Sequence, residues 1–166
     1  MLCRNLGVNQ NGHLTLAGMD TVQLAEQYKT PLYLMDEDRI RENCRIYKEA
    51  MKRAFGAASF PLYASKAASF KYIYEIMQDE DMAIDVVSAG EIATAKRAGF
   101  SMERAFFHGN NKTDADISYA MACGVGYFVA DHEEELRAID REAESRGIRQ
   151  RVLLRLTPGI DPHTYE

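Results

Sequence analysis

Five polar residues stand where the short apolar runs of this chain end. Lys66 follows residues 60–64, Asp85 lies near the end of 82–86, and His108 closes 105–107. Asp131 closes 127–130, and Arg155 interrupts the run Val152-Leu153-Leu154-Arg155-Leu156. In α/β folds the C-terminal ends of strands are where chemistry is placed. A lysine beside a desolvated strand end loses part of its preference for the charged form. A neutral amine can then attack an aldehyde and form an imine. An acid, an imidazole and a guanidinium gathered around such a lysine would suit an anionic group held through that imine.

Each of these residues also has an ordinary reading. Most lysines are solvated surface residues. Asp85 could accept from free amides of the following turn, and His108 could be a satisfied loop histidine. Glu91 stands three residues after Ser88, which is the spacing of a capping box. Asp131 is most simply the N-cap of a helix starting at His132. Arg155 is harder to explain away, because a guanidinium inside an apolar strand must find a partner if buried. His13, His132 and His163 share no metal-ligand spacing with one another or with cysteine, so no metal site is expected.

The elements that must position these residues form a repeat. Strands at 60–64, 82–86, 105–107 and 127–130 are followed by helices near 70–78, 88–98, 113–123 and 132–146, and a strand at 151–156 comes last. The strand centres Leu62, Ile84, Phe106 and Phe128 recur at roughly 22 residues. Short buried strands alternating with helices give a parallel sheet with crossover helices. Ser88 with Glu91, and Thr113 with Asp116, read as helix starts, and Gly99, Gly124 and Gly147 as left-handed stops. Glu133, Glu134 and Glu135 place negative charge at a helix N-terminus. Ahead of the repeat, 13–16 and 32–35 read as strands. Asp20, with Gln23, caps a first helix, and Asp36 opens a long one carrying Ile40, Cys44, Tyr47 and Met51 at helical spacing. The expected fold class is α/β, a (β/α)8 TIM-type barrel of which about five strands are present. A doubly wound open sheet is the runner-up. G-x-G-x-x-G and Walker A signatures are both missing, which counts against the open nucleotide-binding sheets.

The chain has 166 residues and a formal net charge of -5, with acids and bases interspersed. No basic stripe points to nucleic acid. No apolar run is long enough to span a bilayer, and the N-terminus lacks the apolar core of a signal peptide. Cys3, Cys44 and Cys123 are scattered and odd in number, as fits reduced thiols in a cytoplasmic protein. For the lysine, pyridoxal phosphate (PLP) is the aldehyde cofactor that most often attaches in this way.

Taken together, Tyr63-Ala64-Ser65-Lys66-Ala67, Asp85-Val86-Val87-Ser88-Ala89-Gly90-Glu91, Phe107-His108-Gly109-Asn110-Asn111-Lys112 and the stretch from Leu154 to Tyr165 resemble one family in order and spacing. That family is the fold-type III, alanine-racemase-like PLP-dependent decarboxylases, and within it the diaminopimelate decarboxylases. The resemblance runs from about Gly12 to the last residue. It implies that Lys66 holds PLP, that Asp85 and Glu91 orient and charge-balance the imine, that His108 lines the pocket, and that Arg155 approaches the phenolic side of the ring. It implies decarboxylation of meso-diaminopimelate to L-lysine in a cytoplasmic homodimer, with residues 1–35 belonging to a β-domain and 36–166 to a partial PLP-binding barrel. Where the family often has asparagine two residues after the lysine, Ala68 stands here. The family's ring-stacking histidine, glycine-rich phosphate loop and β-domain residues would all lie beyond Glu166, so the 166 residues alone are expected to be inactive. Decarboxylases of ornithine, arginine or carboxynorspermidine, an amino-acid racemase, a regulatory PLP-binding paralogue and a plain scaffold barrel are the alternatives. The stretch 157–166 favours diaminopimelate.

Overall fold

The computed structural model describes residues 4–156, 158 and 159. The chain divides into two compact units, Met1–Ala50 and Met51–Glu166. In the first, strands β1 (Leu6–Val8), β2 (Leu14–Leu16) and β3 (Met19–Asp20) form an antiparallel sheet in that order. Helix α1 (Thr21–Tyr28) follows, and the long helix α2 (Glu37–Phe55) begins in this unit. The β2–β3 turn is Ala17-Gly18, both with positive φ, which matches the right-handed twist of the flanking strands. Strands β1 and β3 are too short for periodicity to reveal; the turn residues between them were the available signal.

Asp20 caps α1 as expected, its Oδ1 accepting from the amides of Val22 at 2.8 Å and Gln23 at 3.3 Å. Its Oδ2 accepts from Asn9 Nδ2 and lies 2.9 Å from His13 Nδ1, so one carboxylate ties the hairpin to the helix. Asp36 likewise accepts from the Arg39 amide and from Asn5 Nδ2. The strand expected at 32–35 is not formed. Tyr33 is 93% exposed and Met35 is exposed too, while Leu32 and Leu34 are half-buried, but the run has no ladder partner among the described residues.

The second unit is a five-stranded parallel sheet built from β4 (Leu62–Ala64), β5 (Ala83–Val86), β6 (Ala105–Phe107), β7 (Tyr127–Ala130) and β8 (Arg151–Leu154). The connecting helices are α3 (Lys71–Asp79), α4 (Ala89–Arg97), α5 (Asp114–Cys123) and α6 (Glu133–Arg146). Strand order equals chain order. A doubly wound sheet would reverse its order at a switch point, so the open-sheet alternative falls and the strands follow the progression of a (β/α) barrel. The strand at 60–64 starts two residues late because Pro61 has no amide to give a ladder.

Successive helices pack side by side, α3 on α4, α4 on α5 and α5 on α6, and so share one side of the sheet. That side buries Ile84, Val86, Phe107 and Phe128 against Ile73, Ile92, Ile117 and Ile139, all at most 2% exposed. Thr113 and Asp116 form a complete capping box at α5, and Gly124 and Gly147 end α5 and α6 in the left-handed conformation. At α4 the box is altered. Ser88 Oγ accepts from the Glu91 amide, but the Glu91 carboxylate reaches the amide of Val87 rather than that of Ser88.

Candidate active site

Lys66 sits on a single 3₁₀ turn, Ser65–Ala67, at the C-terminal end of β4. The turn closes through Ala68 N–H to Ser65 O at 3.1 Å, and the Tyr63 hydroxyl donates to Ala68 O at 2.8 Å. Ser69 Oγ and the buried Tyr74 hydroxyl, 2.9 Å apart, hold the next residues. The lysine side chain is exposed rather than desolvated, which corrects the sequence reading. It is presented by a fixed turn into open space at the strand ends.

Parallel pairing sets which residues share a face. Ala64 pairs with Asp85, Asp85 with Phe106, Phe106 with Tyr127, and Tyr127 with Arg151. This row lies on the side of the sheet away from the helices. Phe106 and Tyr127 stack at 4.2 Å between ring centroids, and the Arg151 guanidinium lies over Tyr127 at 5.3 Å. Strand alternation puts His108, Asp131 and Arg155 on the same face, nearer the C-terminal edge. The His108 amide extends the ladder to Val86 O at 2.8 Å, and the Arg155 amide extends it to Ala130 O at 2.9 Å.

Asp85 is the electrostatic centre of this row. Its Oδ1 is buried and has no hydrogen-bond partner among the described residues. Burial raises its pKa, and the nearby charges of His108 and Lys66 pull it partly back. A carboxyl whose folded pKa is raised binds its proton more tightly folded than unfolded. Its penalty is therefore absent below the unfolded pKa and present above it. Asp85→Asn is expected to raise the thermal midpoint near about pH 7. The gain should vanish once pH falls below the ordinary value of 3.8. A lower midpoint at neutral pH, measured by calorimetry across that range, would contradict the assignment of burial as the dominant cause.

The remaining predicted residues are placed as follows. Glu91 accepts from the Val87 amide at 2.6 Å and so fixes the link between β5 and α4. Asp131 does not cap α6. His132 does, its Nδ1 accepting from the Glu135 amide at 3.2 Å. Asp131 instead pairs with Arg155 at 3.3 Å across the β7–β8 edge. Arg155 lies one residue past β8 and is 58% exposed, so it is not inside the strand as expected. Lys66, Asp85, His108 and Arg155 thus share one edge of the sheet, while Glu91 stands behind it.

One pair escaped the sequence reading. Lys112 and Glu135 meet at 2.6 Å with side chains 2% and 1% exposed. Glu135 had been read only as one of three acids at a helix start. Its neighbours do behave so: Glu133 pairs with Arg137 and Glu134 with His132. Nothing in the sequence links positions so far apart; the parallel pairing of β6 with β7 brings them together.

The sequence model of the family described as pyridoxal-dependent decarboxylase, pyridoxal binding domain, matches residues 37–166. The chain belongs to the pyridoxal-dependent decarboxylases. Among curated members, it is 42% identical over 159 residues to a diaminopimelate decarboxylase of Halalkalibacterium halodurans, covering 96% of this chain and 36% of that protein. It is 43% identical over 158 residues to that of Staphylococcus aureus, covering 95% and 37%. The crystal structure of diaminopimelate decarboxylase from M. jannaschii in complex with L-lysine superposes with a TM-score of 0.83 at 28% identity, covering 96% of this chain and 37% of that one. The Helicobacter pylori enzyme, also complexed with L-lysine, gives 0.77 at 30% identity, with 87% and 36% covered. The chain spans about a third of the length of these relatives.

The cofactor of the pyridoxal-dependent decarboxylases is PLP. The observed groups suit it: an accessible amine on a rigid turn, a desolvated carboxylate beside it with an unused oxygen, and an exposed guanidinium on the same edge. In the last motif of the sequence reading, Thr157 and residues 160–166 lie outside the described residues.

Proposed function

We propose that this chain supplies the PLP-binding part of a diaminopimelate decarboxylase, which converts meso-diaminopimelate to L-lysine and carbon dioxide. The observation that carries this reading is Lys66 on its pinned turn, near Asp85 on the adjoining strand, in a chain about 40% identical to curated diaminopimelate decarboxylases. When bound, PLP supplies an electron sink for the bond to the departing carboxylate.

The residues of this chain have separable tasks. Lys66 Nζ would hold the cofactor, its amine being the point of attachment. Asp85, near Lys66 and His108, would balance positive charge at that nitrogen. Its orphaned oxygen is an acceptor kept ready for it. Glu91 acts at a distance, holding the Val87 amide and so the end of β5. His108 lines the pocket from the next strand end. Arg155, steadied by Asp131, would offer positive charge to the anionic cofactor. We further propose a cytoplasmic homodimer for the complete protein. The Cys123 thiol, which forms no disulfide, agrees with a reducing compartment.

The test is to incubate the folded chain with PLP, reduce with borohydride and map the modified peptide by mass. Circular dichroism confirms folding. One label per chain, on Lys66, is expected. Label scattered over many lysines, together with failure of the complete protein to form a Lys66 adduct, would refute the assignment. Turnover by the complete protein is expected to prefer meso-diaminopimelate, and a preference for ornithine would overturn the substrate.

A further inference from the structure

The Lys112 ammonium sits in a closed cage of three acceptors. It donates to Gly109 O at 2.6 Å, to Val129 O at 2.8 Å and to Glu135 Oε1 at 2.6 Å. An ammonium has three N–H donors, and all three are used. Its Nζ lies over the Phe107 ring, 5.4 Å from the centroid. The two side chains are 2% and 1% exposed, so the pair is sealed from water. The second oxygen, Glu135 Oε2, has no hydrogen bond among the described residues and lies 3.9 Å from His132 Nε2.

Stability alone does not call for such a pair. Two charges taken out of water cost about as much as their attraction returns, and apolar residues of similar size commonly do as well. The location says what the pair is for. The β6–β7 ladder ends at Phe107 opposite Phe128. Beyond it the chain leaves the sheet through His108 and Gly109, the latter at φ +110, where an L side chain is strained. The Lys112 ammonium bridges Gly109 O to Val129 O and so replaces the missing rung. His108 is held on one side by its own amide on Val86 O and on the other by this bridge one residue along.

We propose that Lys112 and Glu135 are a positioning pair that fixes His108 at the cofactor site. Glu135 anchors the ammonium from α6, and the ammonium fixes the peptide after His108. The proposal rests on the PLP-site reading for its effect on cofactor binding, but not for its effect on His108 itself.

The experiment compares four forms of the full chain: wild type, Lys112→Met/Glu135→Leu, His108→Ala, and the triple variant. Replacing both charges avoids leaving one buried and alone. Without PLP, the double variant should keep a cooperative thermal transition. Its Gly109 and Asn110 amides should exchange about tenfold faster than wild type, and the His108 ring resonances should shift. With PLP, its affinity should fall about tenfold, and the same pair of changes should cost nothing further once His108 is alanine. Wild-type protection and wild-type His108 resonances in a folded double variant would overturn the proposal, as would fully additive losses of PLP affinity. If the double variant does not fold, the neutral pair Lys112→Gln/Glu135→Gln is read by the same two signals. Failure of the wild type to bind PLP would sink the functional reading, while exchange and ring resonances would still decide the role of the pair.

Discussion

Lys66→Ala is expected to lower turnover of meso-diaminopimelate by the complete protein by roughly 10³-fold or more, the scale of losing the residue that carries covalent chemistry. The same change should leave the fold alone. The side chain is exposed, and the turn that carries it is closed by the Ala68 amide and the Tyr63 hydroxyl, neither of which involves the lysine amine. A surface substitution of this kind moves stability by about 0.5 kcal/mol or less. The decisive result is therefore a set of three measurements: turnover lost, borohydride-trapped label gone and thermal midpoint unchanged. A variant that keeps a tenth of wild-type turnover would show that Lys66 is not the attachment point. A variant that loses turnover by unfolding would show that the turn depends on the amine after all.

The second large effect is on the fold, at Gly126. A Cβ built there would stand 1.8 Å from Glu103 O and 2.6 Å from Glu103 C. Both atoms are backbone, on the 3₁₀ turn Met102–Arg104 that leads into β6. The approach is held from both sides, by Gly126 N–H to Met102 O at 2.9 Å and by Gln150 Nε2 to Gly126 O at 3.0 Å. No rotamer change can relieve the clash, so β6 and β7 must separate at their starts. Gly126→Ala is expected to cost about 3 kcal/mol or more, the upper end for overpacking. Gly124 provides the control. It has φ +81 with nothing within 4 Å of a built Cβ. Gly124→Ala should therefore cost only the left-handed penalty of about 1–2 kcal/mol. Urea midpoints of the two variants measure the difference. Equal midpoints would mean that the close approach at Gly126 relaxes without cost. A helix stop such as Gly124 has a local signature in the sequence, and a close approach to a distant carbonyl such as that of Gly126 has none.

The contrast between these two glycines runs through the whole molecule. The sequence by itself determined the alternation of strands and helices, because burial on both faces demands short apolar runs and helices need caps and stops that are local in the chain. It determined that Lys66, Asp85, His108 and Arg155 stand at or near strand ends, since Lys66 and His108 follow apolar runs and Asp85 and Arg155 lie close to the ends of theirs. Short-range periodicity could not find β1 and β3, which are only three and two residues long. It overread 32–35, where apolar residues lack a ladder partner. Tertiary structure decided the rest. Sheet order removed the doubly wound alternative, and strand register put Asp85, His108 and Arg155 on one face away from the helices. The cap of α6 passed from Asp131 to His132 because the helix begins at Glu133, and the Asp131 carboxylate pairs with Arg155 just past β8. Lys112 found Glu135 only because β6 and β7 lie side by side. Caps and stops follow from neighbours in the chain; partners for buried charge follow from neighbours in space, which pairing of distant strands creates.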